Sequence, residues 1–197
     1  MDFASRAASA LAIGMMMCGT ALAQTAATTT QRDANQQQRI EQGLKSGELT
    51  TGEAARLEKQ QTQVEKMQKN ALKDGTLTPA EQARLRKAQN AESASVYREK
   101  HDARTGNPNS ASSKRMQADV QRNANQQERI AQGAASGQLT NKETAKLERG
   151  QSHVTAREAH AGADGHVGPN EQARIQASEN RQSAHVYNKK HNAAAKP

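Results

Sequence analysis

Apolar residues are sparse along this chain and recur mostly at steps of three or four positions. In the stretch 51–73 this spacing places Ala54, Leu57, Val64 and Met67 on one face. A period near 3.6 residues is typical of a helix with one inward side. The pattern predicts helices at roughly 33–45, 51–73 and 79–101, with Leu85, Ala88, Val96 and Tyr97 facing inward on the third.

The predicted helices are separated by one recurring turn, glycine, then an apolar residue, then threonine and a later glutamate. The glycine can adopt the left-handed conformation that ends a helix, and it occurs as Gly47, Gly75, Gly137 and Gly165. Threonine followed three positions later by glutamate forms a capping box, at Thr50/Glu53, Thr78/Glu81 and Thr140/Glu143. Gly168 takes the place of threonine in the fourth module, where we expect a slightly weaker cap.

The chain contains two copies of one unit. Residues 31–103 and 121–193 align without a gap at an offset of 90, and 36 of the 73 positions are identical. Residues 24–30 form a polar leader expected to be disordered, 104–120 a linker rich in glycine, proline and serine, and 194–197 a short tail. The prediction is an all-α protein of two tandem antiparallel three-helix units joined by a flexible linker.

The apolar core of these units must be thin. Beyond Ala23 there are 17 leucine, isoleucine and valine residues among 174, and tyrosine is the one aromatic type. The second copy has the poorer apolar core, since Leu44, Met67 and Leu72 of the first copy become Ala134, Arg157 and Gly162. We therefore expect helices that depend on capping as much as on burial, and a less stable second unit.

The first 23 residues are typical of a secretory signal peptide. Arg6 is followed by a short apolar run and by the small-residue site Ala21-Leu22-Ala23. Cleavage after Ala23 predicts a periplasmic or secreted protein, and it removes Cys18, the only cysteine. The mature chain then has no thiol for a disulfide, a zinc site or a nucleophile. No later segment is apolar enough to span a membrane.

The net charge of +8 raises the question of anionic partners. Nucleic acid is not expected, because the protein is exported and lacks clustered aromatic residues and long basic runs. Lysine and arginine alternate with glutamate, which is typical of a solvated helix surface. Proteins or anionic components of the cell envelope remain as partners, and the sequence does not determine the oligomeric state.

The stretches DGTLTPAE from Asp74 and ADGHVGPNE from Ala163 resemble the second half of an EF-hand calcium loop. The resemblance implies that Asp74 and Glu81 could ligate calcium around Gly75. The first and third loop positions would fall on Asn70 and Leu72, and leucine cannot bind calcium. We interpret the module as a joint between helices, with weak Ca²⁺ binding as the alternative.

A second candidate metal site lies in the histidine-rich turn of the second copy. Imidazole and carboxylate ligands suit Zn²⁺ or Cu²⁺, and this turn contains His160, Asp164, His166 and Glu171. The alternative is that these are surface histidines at the end of a polar helix. No other cofactor is expected.

No spacing of serine, histidine and aspartate and no phosphate-binding glycine loop points to an enzyme. LTPAEQARL from Leu77 resembles the LTxxQ motifs of small periplasmic stress chaperones, with glutamate in place of glutamine. The whole chain resembles uncharacterised exported Gram-negative helical proteins with SGxLTxxE and DGxLTxxE modules. These resemblances imply a non-enzymatic exported protein with an interaction or envelope-stress role, and the alternative is a metal-binding protein.

Overall fold

The computed structural model describes residues 25–192, which fold entirely into helices and connecting turns. The six helices are α1 Ala26–Ser46, α2 Thr51–Leu72, α3 Pro79–Lys100, α4 Ala111–Ala135, α5 Asn141–Ala161 and α6 Pro169–Lys190. The described residues contain no strand, so the predicted all-α class and the two three-helix copies are confirmed.

The turns follow the local chemistry expected from the sequence. All four glycines adopt positive φ angles, from 72° at Gly137 to 97° at Gly75. Thr50, Thr78 and Thr140 cap α2, α3 and α5, and each forms a capping box with the glutamate three residues later. Gly168 provides no side-chain cap for α6, as expected. These corners are therefore determined by interactions within a few residues.

The two copies are packed into one bundle in which each helix finds its repeat partner. Antiparallel packing of α1 on α4 brings Gln117, early in α4, to Leu44, late in α1. Antiparallel packing of α2 on α5 brings Asn141, at the start of α5, to the carbonyl of Gly75. These two pairs form the centre of the bundle, with α3 and α6 packed against them. Exchange of the two copies leaves this arrangement unchanged.

The main apolar cluster is shared between the copies. It draws on α1, α2 and α3 of the first copy and on α4, α5 and α6 of the second, and includes Ile40, Leu44, Leu57, Val96, Met116, Val120, Ala161 and Ile175. Two residues predicted to face inward are instead on the surface, since Met67 is 37 % and Tyr97 59 % exposed. Both copies therefore supply the main cluster, and a smaller cluster of Ile130, Leu139, Leu147 and Val186 lies within the second copy.

The structure differs from the predicted boundaries at two places. Residues 26–30 of the leader belong to α1, where Thr29 and Thr30 are buried, because they pack inside the bundle. Residues 111–120 of the linker belong to α4, because Met116 and Val120 complete the shared core. The remaining connection is held to the first copy, where the Gly106 amide donates to the Gly47 carbonyl at 2.8 Å. The signal peptide and the tail lie outside the described residues.

Candidate functional site

The calcium-like carboxylates of the first copy act as turn and cap groups. Oδ1 of Asp74 accepts a hydrogen bond from the backbone N–H of Thr76 at 2.9 Å, which holds the pKa of Asp74 below its ordinary value. Oε2 of Glu81 accepts from the hydroxyl of Thr78 at 2.6 Å and from its N–H at 3.0 Å, and these bonds lower the pKa of Glu81. Both carboxylates thus have structural partners in the same turn. Calcium binding there stays a prediction.

The four candidates of the histidine-rich turn are only partly brought together. Asp164 accepts from the N–H of His166 at 2.9 Å, which repeats the Asp74 turn. Glu171 accepts from the N–H of Gly168 at 2.8 Å. His160 and Glu171 line a cavity of about 390 Å³ together with His153, whereas Asp164 and His166 do not line it. The same cavity contains two arginines, so its charge is unfavourable for a cation.

One cluster with metal-like spacing was not expected from the sequence. Within residues 25–192, the carboxylates of Glu53, Glu99 and Asp102 form the one set of three acidic or histidine groups whose ligand atoms lie within 4.8 Å of one another. The guanidinium of Arg104 binds all three, at 2.6 Å from Glu53, 3.2 Å from Glu99 and 2.6 Å from Asp102. The positive charge that this cluster requires is therefore supplied by the protein.

The most unusual feature of the molecule is a set of carboxyl groups inside the bundle. We call it the carboxyl core. Each of its members is at most 2 % exposed, and every helix contributes at least one: Asp33, Glu58, Glu65, Glu92, Asp119, Glu148, Glu158 and Glu179. Buried acids without compensation are costly, so their neighbours determine what this interior can do.

Side-chain amides from facing helices donate to the carboxyl core. Gln37 on α1 donates to Glu58 on α2 at 2.8 Å. Its repeat partner Gln127 on α4 lies between two acids and donates to Glu65 at 3.0 Å and to Glu148 at 3.3 Å. These bonds join helices of both copies across the centre of the bundle.

The same pattern extends to other acids of the carboxyl core. Gln89 on α3 donates to Asp33 at 2.8 Å, and Asn123 on α4 donates to Glu158 at 2.7 Å. The hydroxyl of Thr30 donates to Glu148 at 3.0 Å. Neutral amides and hydroxyls therefore surround the acids.

No buried basic residue accompanies these acids. Among the described residues, the buried polar side chains include no lysine, arginine or histidine. The nearest ion pair reaches in from the surface, where Arg122 lies 3.4 Å from Glu179 and keeps 39 % of its side chain exposed. Loss of hydration therefore dominates the acid–base behaviour of the carboxyl core.

Burial shifts the pKa values of the carboxyl core strongly upward. It raises the pKa of Asp33 to about 7 and those of Glu58 and Glu148 to about 8. Neighbouring carboxylates add to the effect of burial at Glu65 and Glu158, whose pKa values lie well above the ordinary range. These acids therefore keep their protons at pH values where surface glutamates have lost them.

The interior has too many hydrogen-bond acceptors for its donors. Every buried side-chain atom without a partner in the described residues is an oxygen, including Glu58 Oε1, Glu65 Oε2, Glu158 Oε1 and Gln127 Oε1. Each protonated carboxyl adds one O–H donor, so protonation supplies what this interior lacks. The charge of Glu58 also raises the pKa of Glu158, because two neighbouring carboxylates repel each other when both are ionised. The carboxyl core is consequently a proton-binding interior.

Sequence reasoning missed this cluster because it treated glutamate as a surface residue. The available indications were the small number of apolar residues and the inward register of Gln61 on α2. Glu58 and Gln61 recur unchanged as Glu148 and Gln151 on the same helix face of the second copy. An inward polar stripe repeated in both copies would have pointed to a polar interior.

Within residues 25–192, no helix combines the length and the apolar character needed to cross a membrane. The chain matches no family model, no curated protein and no solved structure.

Proposed function

We propose that this protein is a non-enzymatic, exported helical protein with an interaction role in the cell envelope, chaperone-like in type, that operates under acid stress. The observation that carries the proposal is the carboxyl core, a buried set of acids that no buried base accompanies within residues 25–192. An exported protein meets the pH of the cell's surroundings. A bundle whose interior must be protonated becomes more stable as those surroundings acidify, when many other proteins lose stability.

The exported and non-enzymatic parts of the proposal have separate support. The signal-peptide pattern of residues 1–23 supports export. The buried acids are hydrogen-bonded to amides between packed helices, away from the surface cavities where a substrate could enter. Acids in such positions are suited to binding protons and to holding helices together.

The proposal is tested by an aggregation assay with a heat-unfolded client protein at about pH 5 and about pH 7.5, with and without a chelator. We expect suppression of client aggregation at the acidic pH, at stoichiometric ratios and unchanged by the chelator. A matched sample in which Glu58→Gln and Glu148→Gln remove two of the eight core acids should show a smaller difference in protection between the two pH values. Failure to protect any client at acidic pH would refute the chaperone-like role.

Metal binding at the two sequence-predicted turns stays the alternative proposal. Its support is the presence of His153, His160 and Glu171 around one cavity. Thermal melts with Ca²⁺, Zn²⁺ and Cu²⁺ test it, because a ligand that binds only the folded state raises the melting temperature. The matched variant is His160→Asn, which installs the residue that the first copy has at the equivalent Asn70. A rise with an ion that is lost in this variant would favour metal binding over the interaction role.

A further inference from the structure

Two adjoining cavities on the α2–α5–α6 side of the bundle form one basic surface, which we call the basic groove. The first cavity, about 390 Å³, has Arg157 and Arg174 on its sides and the buried Ala161 and Ile175 beneath. The second, about 380 Å³, has Lys59 and Lys66 on its α2 side. Both cavities are lined by Ala156 and His160, which places them side by side along α5.

The cations of the basic groove have no carboxylate partners. Among the described residues, none of Lys59, Lys66, Arg157 and Arg174 takes part in an ion pair. In the part of the chain that the structure describes, Glu171 is the single carboxylate that lines the two cavities, and its Oε2 accepts from the N–H of Gly168. Four fixed positive charges thus face one negative charge. This imbalance favours an anion with more than one negative charge.

The duplicated fold provides an internal comparison. The equivalent groove of the first copy, about 290 Å³, keeps an arginine and a glutamate as Arg84 and Glu81. It has Met67 where the second copy has Arg157 and Asn70 where the second copy has His160. The first-copy groove also contains Lys73, which is Ala163 in the second copy. The second copy has therefore gained a guanidinium and an imidazole and lost an ammonium, so that two guanidinium groups line its groove.

We propose that the basic groove binds a phosphate ester, with the phosphoryl group on Arg157 and Arg174. Guanidinium groups offer paired N–H donors in the geometry that phosphoryl oxygens accept, and a phosphate monoester carries more charge than a carboxylate. The apolar base of Ala161 and Ile175 suits the organic part of such a molecule, and cavities of this size hold small ligands. A free phosphate ester and a phospholipid headgroup share this chemistry.

The test uses the whole exported chain and two probes. Isothermal titration calorimetry with glycerol phosphate measures binding from solution, and co-sedimentation with phosphatidylglycerol vesicles, against phosphatidylcholine vesicles, measures binding to a lipid headgroup. For whichever probe binds, glycerol phosphate or phosphatidylglycerol vesicles, the variant Arg157→Met/Arg174→Gln should weaken the affinity by at least about tenfold. The control Arg84→Gln makes the matching change in the first copy and should leave the affinity unchanged.

All four cations are on the surface, so the variants should fold like the parent protein, and their thermal melts verify this. Binding in the solution arm identifies a small phosphate ester, and binding in the vesicle arm alone identifies a headgroup. Absence of binding in both arms would overturn the inference. An affinity that the Arg157→Met/Arg174→Gln variant retains, or that Arg84→Gln reduces as strongly, would also overturn it. Neither result bears on the pH dependence of the carboxyl core, which lies inside the bundle.

Discussion

Replacing Glu58 by glutamine removes one ionisable group from the carboxyl core while keeping the shape of the side chain. The Oε1 atom of the new amide can accept the hydrogen bond that Gln37 donates to Glu58 at 2.8 Å. Its N–H group can donate to Glu158, the carboxyl partner of Glu58. The substitution therefore separates the charge of this position from its packing. The quantity to compare is the free energy of unfolding as a function of pH.

The sign of the effect follows from the direction of the pKa shift. Burial raises the pKa of Glu58 from 4.5 to about 8, so between these values the folded state holds a proton that the unfolded chain has released. The free energy of unfolding therefore falls as the pH rises through this window and levels off above about pH 8. The contribution of Glu58 is fully retained only below the ordinary glutamate pKa.

The magnitude is large relative to the stability of a protein of this size. A shift of about 3.5 pKa units at roughly 1.4 kcal/mol per unit is worth about 5 kcal/mol in full, of which more than half, about 3 kcal/mol, is lost between about pH 5 and about pH 8. Folded domains are stable by only about 5–15 kcal/mol in total. Removal of this one ionisation should therefore flatten the pH profile measurably.

The assay is urea denaturation followed by circular dichroism at several pH values from about 5 to about 8. Glu58→Gln should lose about 3 kcal/mol less than the parent protein across this range. Glu128→Gln, on the partly exposed face of α4, is the control and should behave like the parent protein. Glu148→Gln repeats the test at the equivalent position, should the first variant not fold. The reasoning would be refuted if the free energy of unfolding of the parent protein stayed constant or rose with pH. It would also be refuted if the parent protein and all variants showed the same pH slope.

Three further predictions concern the fold. Gly43→Ala should destabilise the protein by about 1–3 kcal/mol in denaturation assays, because the added Cβ would lie 2.6 Å from Cδ1 of Leu49; an unchanged midpoint would contradict the close packing. Thr78→Ala should cost about 1 kcal/mol through the lost cap of α3, whereas Gly168→Thr should cost nothing or stabilise slightly. Fragments 25–104 and 105–192 should each show little helicity alone and regain it when mixed, because the copies share their core; independent folding of either would contradict this packing.

The sequence by itself determined the local structure of this protein. Gly75 ends α2 and Thr78 begins α3 through interactions that span only a few residues, so a short stretch of chain contains all the required information. The internal repeat predicted that the second copy would form the same three helices. Glu81 was predicted to form a capping box with Thr78, and this prediction is confirmed.

Only the tertiary structure decided how the copies pair and what lies inside. The helix period shows that Glu58 and Gln61 share a face with Leu57, but it does not show that α5 covers that face. The partners of Glu58 and Glu65 include Glu158 and Gln127, which are 100 and 62 positions away along the chain. Burial of a carboxyl depends on all the helices that exclude water from it. For that reason the buried carboxyl groups could be identified only from the tertiary structure, in which both copies are folded around each other.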